Sequence, residues 1–268
     1  MSGTHAPPGT TSGAATALVT GASRGIGRVI AEQLAARGIR VGVHCHARRE
    51  GALATRAGLE GEGHQVFVAD LADPAATERL WREAVAALGR IDVLVNNAAV
   101  YLDHPPLATD YAAWQVAWER TLATNVRGPA NLSLLAAEAM CARGARDLAW
   151  GRGRIVNISS RGAFRGEPDA PAYGASKAAL NALGQSLARK LAPHGVYVYT
   201  LAPGWVGTDM AAAHIAGPGG ADILAQHPLG RVAAPAEIAN AAVYCALDAP
   251  AAMTGSIIDV NGASYLRT

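Results

Sequence analysis

A glycine-rich turn between a strand and a helix constrains the fold of this chain more than any other feature. An apolar strand is predicted at 17–20, and apolar residues with helical spacing follow from 26 to 34. Gly21, Gly25 and Gly27 lie at the junction, where backbone N–H groups and the helix dipole can hold a pyrophosphate. Their spacing is Gly-x3-Gly-x-Gly, not the Gly-x-Gly-x2-Gly of the usual dinucleotide fingerprint. We therefore predict nucleotide binding at this turn; the alternative is a plain turn.

Strand and helix signals alternate along the rest of the chain. Helical segments separate strands that are predicted at 39–45, 66–71, 91–95, 153–160, 196–201 and 256–260. This alternation predicts an α/β fold, a single doubly wound Rossmann domain of about seven parallel strands from residue 15 to 268. A bound nucleotide would lie across the carboxyl ends of the strands. Residues 1–14 are rich in Gly, Thr, Ser, Ala and Pro and are predicted to be a disordered tail.

Composition gives no support to nucleic-acid or membrane partners. The net charge is only +2, and no apolar run reaches the ~18 residues that a membrane span needs. The three cysteines have no metal-type spacing, and their odd number fits a reducing, cytoplasmic location. His44-Cys45-His46 could be read as metal ligands, but strand alternation places Cys45 on the opposite face from both histidines. We therefore predict no metal site.

The end of the second predicted strand bears on the choice of cofactor. In a Rossmann unit this residue faces the adenosine ribose, and an acid there selects NAD. No Asp or Glu occurs between Glu32 and Glu50, and Cys45 takes the place of the acid. Basic side chains surround the expected site: Arg24, His46, Arg48 and Arg49. They suit a 2′-phosphate, so NADP(H) is the preferred cofactor and NAD(H) is possible; the alternative is a solvated basic loop.

Tyr173 and Lys177 form the most informative pair of polar residues. In a helix, positions i and i+4 lie on one face. An ammonium within ~4–6 Å lowers the phenol pKa from about 10, so that the Tyr can exchange a proton with a carbonyl or an alcohol. The alternative is a solvated helix with an incidental Tyr and Lys.

Further motifs in a fixed order identify a family. Ser159-Ser160 follow an apolar run, Asn125 lies in Thr124-Asn-Val-Arg-Gly128, and the glycine turn precedes both. With Tyr173 and Lys177, this order resembles the short-chain dehydrogenase/reductase family from about residue 16 to 266, and more narrowly its 3-oxoacyl-carrier-protein reductases.

The resemblance implies a role for each polar residue of the site. Tyr173 is the proton donor, and Lys177 lowers its pKa and holds the nicotinamide ribose. Ser160, thirteen residues before Tyr173, is the Ser that orients the carbonyl. Asn125 lies at a helix break and holds a proton-relay water; its side chain could instead satisfy freed backbone groups.

The resemblance also implies the cofactor contacts. They are Gly21, Ser23, Arg24, Gly25, Ile26, Gly27, His46, Arg48, Asp70, Leu71, Asn97, Ala98, Ala99, Tyr173, Lys177, Pro203, Gly204, Val206 and Thr208, with Asp70 at the adenine. The segment 209–227 contains Gly217-Pro-Gly-Gly220 and is predicted to be a mobile lid; the alternative is a slack surface loop.

These observations predict an NADPH-dependent carbonyl reductase whose substrate is a 3-oxoacyl-type or related small carbonyl. The alternatives are an NAD(P)-dependent alcohol or sugar dehydrogenase and a nucleotide-sensing regulator without turnover.

Family members commonly form tetramers, and small residues along 173–191 permit close helix approach, so we expect a homotetramer. An aromatic-rich pocket is possible from Tyr101, Trp114, Trp118, Phe164 and Trp205.

Overall fold

The computed structural model describes residues 15–145 and 150–267. The tail predicted at 1–14 lies outside these ranges, as does Thr268 at the end of the predicted domain. No helix of the described residues is long and apolar enough to span a membrane.

Within the described residues, seven parallel strands form one sheet, which confirms the predicted fold. The strands are β1 Thr16–Val19, β2 Arg40–Cys45, β3 Gln65–Val68, β4 Val93–Asn96, β5 Gly153–Ile158, β6 Val196–Pro203 and β7 Ile257–Val260. Their order is β3-β2-β1-β4-β5-β6-β7. The chain reverses its direction of winding between β1 and β4, and ligands bind at such a point, beyond the carboxyl ends of the strands.

Helices cover both faces of the sheet. They are α1 Gly25–Ala36, α2 Arg49–Ala57, α3 Pro74–Leu88, α4 Tyr111–Leu122, α5 Gly128–Cys141, α6 Gly162–Arg165, α7 Pro171–Leu191, α8 Asp209–Ala216, α9 Gly220–Ala225 and α10 Pro235–Val243. Each face of the sheet has its own hydrophobic core, and neighbouring residues of β1 point into different cores. Leu18 packs with Leu80 of α3, whereas Val19 packs with Ile30 of α1 and Ile238 of α10. Burial on both faces explains why the strands read as continuous apolar runs.

The start and end of α3 follow directly from the sequence. The Asp73 side chain accepts a hydrogen bond from the Ala75 N–H at 2.9 Å, and Pro74 occupies the first helical position. Gly89 ends the helix with φ at 80°, a left-handed conformation that glycine adopts readily.

A break separates α4 from α5, as the resemblance implies for Asn125. A π-helical turn, Ala123–Arg127, joins α4 to α5, and Asn125 lies within it. Pro129 lies in the first turn of α5. A backbone N–H has no partner within the helix at this position, so proline, which has no N–H, costs no hydrogen bond there.

The segment predicted to be a lid contains α8 and α9, joined around Gly217. Its mobility stays a prediction.

Candidate active site

A cavity of about 380 Å³ opens at the carboxyl ends of the strands. Every residue predicted to contact the cofactor lines it, and so does Ser160. These residues come from the ends of six of the seven strands and the segments that follow them, from α7 and from the residue before α8. The topology therefore brings them to one place, while their roles remain predictions.

The glycine turn is packed so closely that side chains are excluded. Gly21 and Gly25 have φ of +65° and +56°, which favours glycine. A Cβ on Gly27 would come 2.5 Å from the Gly21 carbonyl oxygen and would collide with the Asn97 amide. That amide donates to the Thr20 carbonyl at 2.8 Å and ties the turn to β4. This tight turn at the N-terminus of α1, facing the cavity, fits a dinucleotide pyrophosphate.

Acidic side chains accompany the basic residues at the end of β2, which the sequence did not indicate. Arg24 is paired with Asp209 of α8, with 3.1 Å between Nη1 and Oδ2. His46 Nε2 lies 3.7 Å from Asp70 Oδ2. Cys45 is only 1% exposed, although it lines the cavity, and burial raises the pKa of its thiol. Sequence reasoning missed Asp209, because it is distant in the chain.

Asp70 is held by a partner that the sequence did not indicate. Arg120 Nη1 donates to Asp70 Oδ2 at 2.7 Å, and the Ala72 N–H donates to Oδ1 at 3.0 Å. Burial would raise the pKa of Asp70, but these hydrogen bonds lower it below its usual value. Arg120 also lines the cavity, so this edge of the site carries a fixed ion pair.

His44 is part of the scaffold of the glycine turn. Its Nδ1 accepts from the Gly21 N–H at 3.3 Å, and its Nε2 lies 3.1 Å from the Ala69 carbonyl oxygen. Burial lowers the pKa of His44 to about 4, so the ring is neutral and couples the turn to the end of β3. A search of the described residues finds no cluster of three or more His, Cys, Asp or Glu that could hold a metal ion.

The two adjacent serines have different environments. Ser159 is buried and its hydroxyl donates to the Lys177 carbonyl at 3.1 Å. Ser160 accepts from the Gly162 N–H at 3.0 Å, and its side chain lies close enough to Tyr173 to lower the pKa of the phenol. Ser160 is therefore the one of the two that meets the phenol.

The Tyr–Lys pair lies in α7, as the spacing predicts, but its electrostatics differ from expectation. Lys177 Nζ donates to the Ile158 carbonyl at 2.8 Å and lies 5.5 Å from the centre of the Tyr173 ring. Burial raises the pKa of Tyr173, the Glu167 carboxylate adds to the rise, and the hydrogen bond with Ser160 opposes it. The expected lowering is not the net result, because removing a phenolate from water costs more than these contacts return. Burial also lowers the pKa of Lys177, to about 8.

Asn125 lies behind the cavity wall. Its Oδ1 accepts from the Val100 N–H at 2.9 Å, while Nδ2 donates to the Val100 carbonyl at 3.0 Å and to Ser176 Oγ at 3.1 Å. The side chain therefore fastens the loop after β4 to α7, and the backbone groups that it satisfies belong to that loop and not to the helix break. A proton relay at this residue stays a prediction.

The aromatic pocket contains fewer aromatic residues than the sequence suggests. Tyr101 and Trp205 line the cavity, and the His214 ring lies 5.4 Å and 5.5 Å from their rings. Trp114 and Trp118 instead pack together on α4, with ring centres 5.8 Å apart. Three polar residues of the wall were not among the predicted site residues, namely Arg161, Glu167 and His214, since nothing local marks their side chains as facing a cavity.

The sequence matches known proteins over most of its length. Residues 21–263 match a family model described as enoyl-(acyl carrier protein) reductase. The 3-oxoacyl-[acyl-carrier-protein] reductase of Escherichia coli K12 is 37% identical over 251 residues, which cover 93% of this chain and 97% of that protein. The enzyme of the same name from Staphylococcus aureus strain Mu50 is 35% identical, with coverage of 93% and 98%.

The structure also matches a solved protein. A short-chain dehydrogenase from Burkholderia cenocepacia J2315, crystallised in complex with NADP, has a TM-score of 0.81 and 32% sequence identity. The match covers 93% of this chain and 97% of that one. The chain therefore belongs to the short-chain dehydrogenase/reductase family and is an NAD(P)-dependent oxidoreductase.

Proposed function

We propose that this protein is an NADPH-dependent carbonyl reductase that acts on 3-oxoacyl-type or related small ketones. The observation that carries the proposal is that Ser160 and Tyr173 lie together on the wall of the cavity, beside buried Lys177. Two hydroxyls that meet at one point can both hydrogen-bond a carbonyl oxygen. Relatives named as 3-oxoacyl reductases support this class of substrate.

The residues divide the chemistry between them. A bound nicotinamide cofactor supplies the hydride. Tyr173 gives its proton to the carbonyl oxygen, and the raised pKa keeps the phenol in the protonated form that this step requires. Ser160 donates to the same oxygen as negative charge develops there. Lys177 and Tyr173 would hold the nicotinamide end of the cofactor, and the glycine turn would hold the pyrophosphate. Asn125 would keep α7 in position.

NADPH is favoured over NADH by the charges at the end of β2. Arg24, His46 and Arg48 line this part of the cavity, and β2 itself supplies no carboxylate. The NADP held by the Burkholderia relative agrees with this choice. The pairing of Arg24 with Asp209 reduces the contribution of that one cation.

A homotetramer is proposed from the exposed apolar surface. On α4, Tyr111 is 79% exposed and Val116 is 66% exposed, and Leu134 of α5 is exposed as well. Exposed small residues of α7, Ala175 and Ala182, permit close helix approach. A stable monomer in light scattering at micromolar concentration would contradict the assembly.

The free thiols of Cys45, Cys141 and Cys245 support a reducing, cytoplasmic location, which cell fractionation can test.

A carbonyl panel assayed with NADPH and with NADH tests the activity, and Tyr173→Phe tests the mechanism. The variant keeps the ring but removes the proton, so we expect turnover to fall by a factor of about 10² or more with NADPH binding retained. Tyr199→Phe is the matched control, because Tyr199 is buried away from the cavity with its hydroxyl 3.3 Å from the Pro250 carbonyl. Near wild-type reduction by Tyr173→Phe would refute the mechanism.

A further inference from the structure

Glu167 places a carboxylate in the wall of the substrate end of the cavity. It lies on the loop between α6 and α7, six residues before Tyr173, and it is partly buried. Its Oε1 lies so close to Gly162 that a side chain at that position would collide with it. Ser160, Tyr173 and Glu167 thus face the same space.

The carboxylate has no hydrogen-bond donor among the described residues. The two nearby guanidinium groups are used elsewhere. Arg161 donates to Gln226 Oε1 at 2.9 Å and to the Ser264 carbonyl at 3.3 Å, and Arg165 donates to the same Gln226 oxygen at 2.7 Å. Neither comes within ion-pair distance of Glu167 in the described part of the chain. A partly buried carboxylate that faces a cavity without a donor is costly unless a ligand or water supplies one.

We propose that Glu167 accepts a hydrogen bond from a hydroxyl group of the substrate, so that the preferred substrates are hydroxyketones. This inference rests on the proposed carbonyl reductase function. It makes Glu167 a residue that determines specificity, while Ser160 and Tyr173 bind the carbonyl. The three side chains together define two recognition points, one for each oxygen of the substrate.

The neighbouring charges weaken the attraction that this carboxylate has for an ammonium group. Arg165 and Arg161 act on Glu167 through their charges and partly offset the rise in its pKa that burial causes. The same two cations would repel a positively charged substrate group at this position, although Asp169 acts in the opposite direction. A hydroxyl donates a hydrogen bond without meeting that repulsion.

The expected size of the effect follows from the type of contact. A hydrogen bond to a charged acceptor changes affinity by about ten- to a hundredfold. We therefore expect kcat/KM for the best hydroxyketone to exceed that of the ketone of equal chain length by a factor of about ten or more.

The test measures kcat/KM with NADPH for matched ketones. Hydroxyacetone, 4-hydroxy-2-butanone and 5-hydroxy-2-pentanone move the hydroxyl stepwise from the carbonyl, and acetone, 2-butanone and 2-pentanone lack it. 4-Amino-2-butanone supplies the cationic comparison. Glu167→Gln should lose most of the hydroxyl preference, which is measured as the ratio of kcat/KM between each hydroxyketone and its matched ketone. An effect of Glu167 on Tyr173 is common to both substrates and cancels in this ratio. Asp169→Asn is the matched control, since it removes an exposed carboxylate on the same loop outside the cavity wall and should keep the preference.

The outcomes separate the inference from the function on which it rests. Reduction of simple ketones and hydroxyketones with equal kcat/KM by the wild type overturns the inference alone. The inference alone is also overturned if Glu167→Gln retains the preference for hydroxyketones. It is likewise overturned if the wild type prefers the aminoketone to the hydroxyketones. Failure of the wild type to reduce any carbonyl overturns the proposed function and the inference with it.

Discussion

Replacing Gly27 by Ala tests the packing of the glycine turn directly. Gly27 lies in the first turn of α1, and a Cβ there would come 2.5 Å from the Gly21 carbonyl oxygen and would collide with the Asn97 amide. The carbonyl is backbone and cannot rotate away, so the turn must open to accept a methyl group.

The magnitude follows from two opposing effects. At an uncrowded helix position, Ala is more favourable than Gly by about 0.5–1 kcal/mol. Overpacking a close contact costs about 1–3 kcal/mol. A contact at 2.5 Å with a backbone atom places the overpacking cost near the upper end of its range, at about 3 kcal/mol. Subtracting a gain of about 1 kcal/mol leaves an expected loss of about 2 kcal/mol in the free energy of unfolding for Gly27→Ala. Because the displaced turn is the one that fits a pyrophosphate, we also expect NADPH affinity to fall by about tenfold or more.

Urea denaturation and NADPH fluorescence titration measure the two effects. Gly58→Ala is the matched control: Gly58 ends α2 with right-handed helical dihedrals, and its Cβ would lie 3.6 Å from the Thr55 carbonyl oxygen. That variant should match the wild type or be slightly more stable. If Gly27→Ala unfolds at the wild-type urea concentration and binds NADPH equally well, the packing argument is refuted.

Three further predictions concern charge. Asp209→Asn frees Arg24 from an exposed ion pair that is worth at most about 1 kcal/mol. NADPH should therefore bind up to about fivefold tighter, while the affinity for NADH stays the same. An equal gain in affinity for both cofactors, measured by titration, would contradict this prediction. Cys45→Asp should shift preference toward NADH and lower the urea midpoint, since Cys45 is buried; a variant that keeps the wild-type ratio of NADPH to NADH affinity would count against the assignment. Burial lowers the pKa of Lys177 to about 8 in the folded protein, so the unfolded chain binds more protons between about pH 8 and 10.4 and stability should rise with pH in that window. Lys177→Met should remove this rise, and urea midpoints at pH 7.5 and 9.5 measure it; an equal rise in both proteins would assign it to another group.

Much of the fold could be predicted because its signals are local. Apolar runs and helical spacing placed the strands within a few residues of their observed bounds, and α/β alternation implied parallel winding. The spacing of Tyr173 and Lys177 placed both in α7, and the thirteen-residue interval selected Ser160 over Ser159. The resemblance to the family placed a helix break at Asn125, and the π turn Ala123–Arg127 lies there, although nothing in the local composition marks it.

The electrostatics of the site were decided only by tertiary structure. Arg24 and Asp209 are 185 residues apart in sequence, and Asp70 and Arg120 are 50 apart, so no local pattern indicates that they pair. The direction of the Tyr173 pKa shift depends on burial, which is a property of the whole packed surface and outweighs the neighbouring contacts. Glu167 has no donor among the described residues for the same kind of reason: Gln226, which follows α9, accepts hydrogen bonds from both Arg161 and Arg165. Residue type and spacing thus determine which groups are present, whereas the meeting of distant loops determines their partners and their charge.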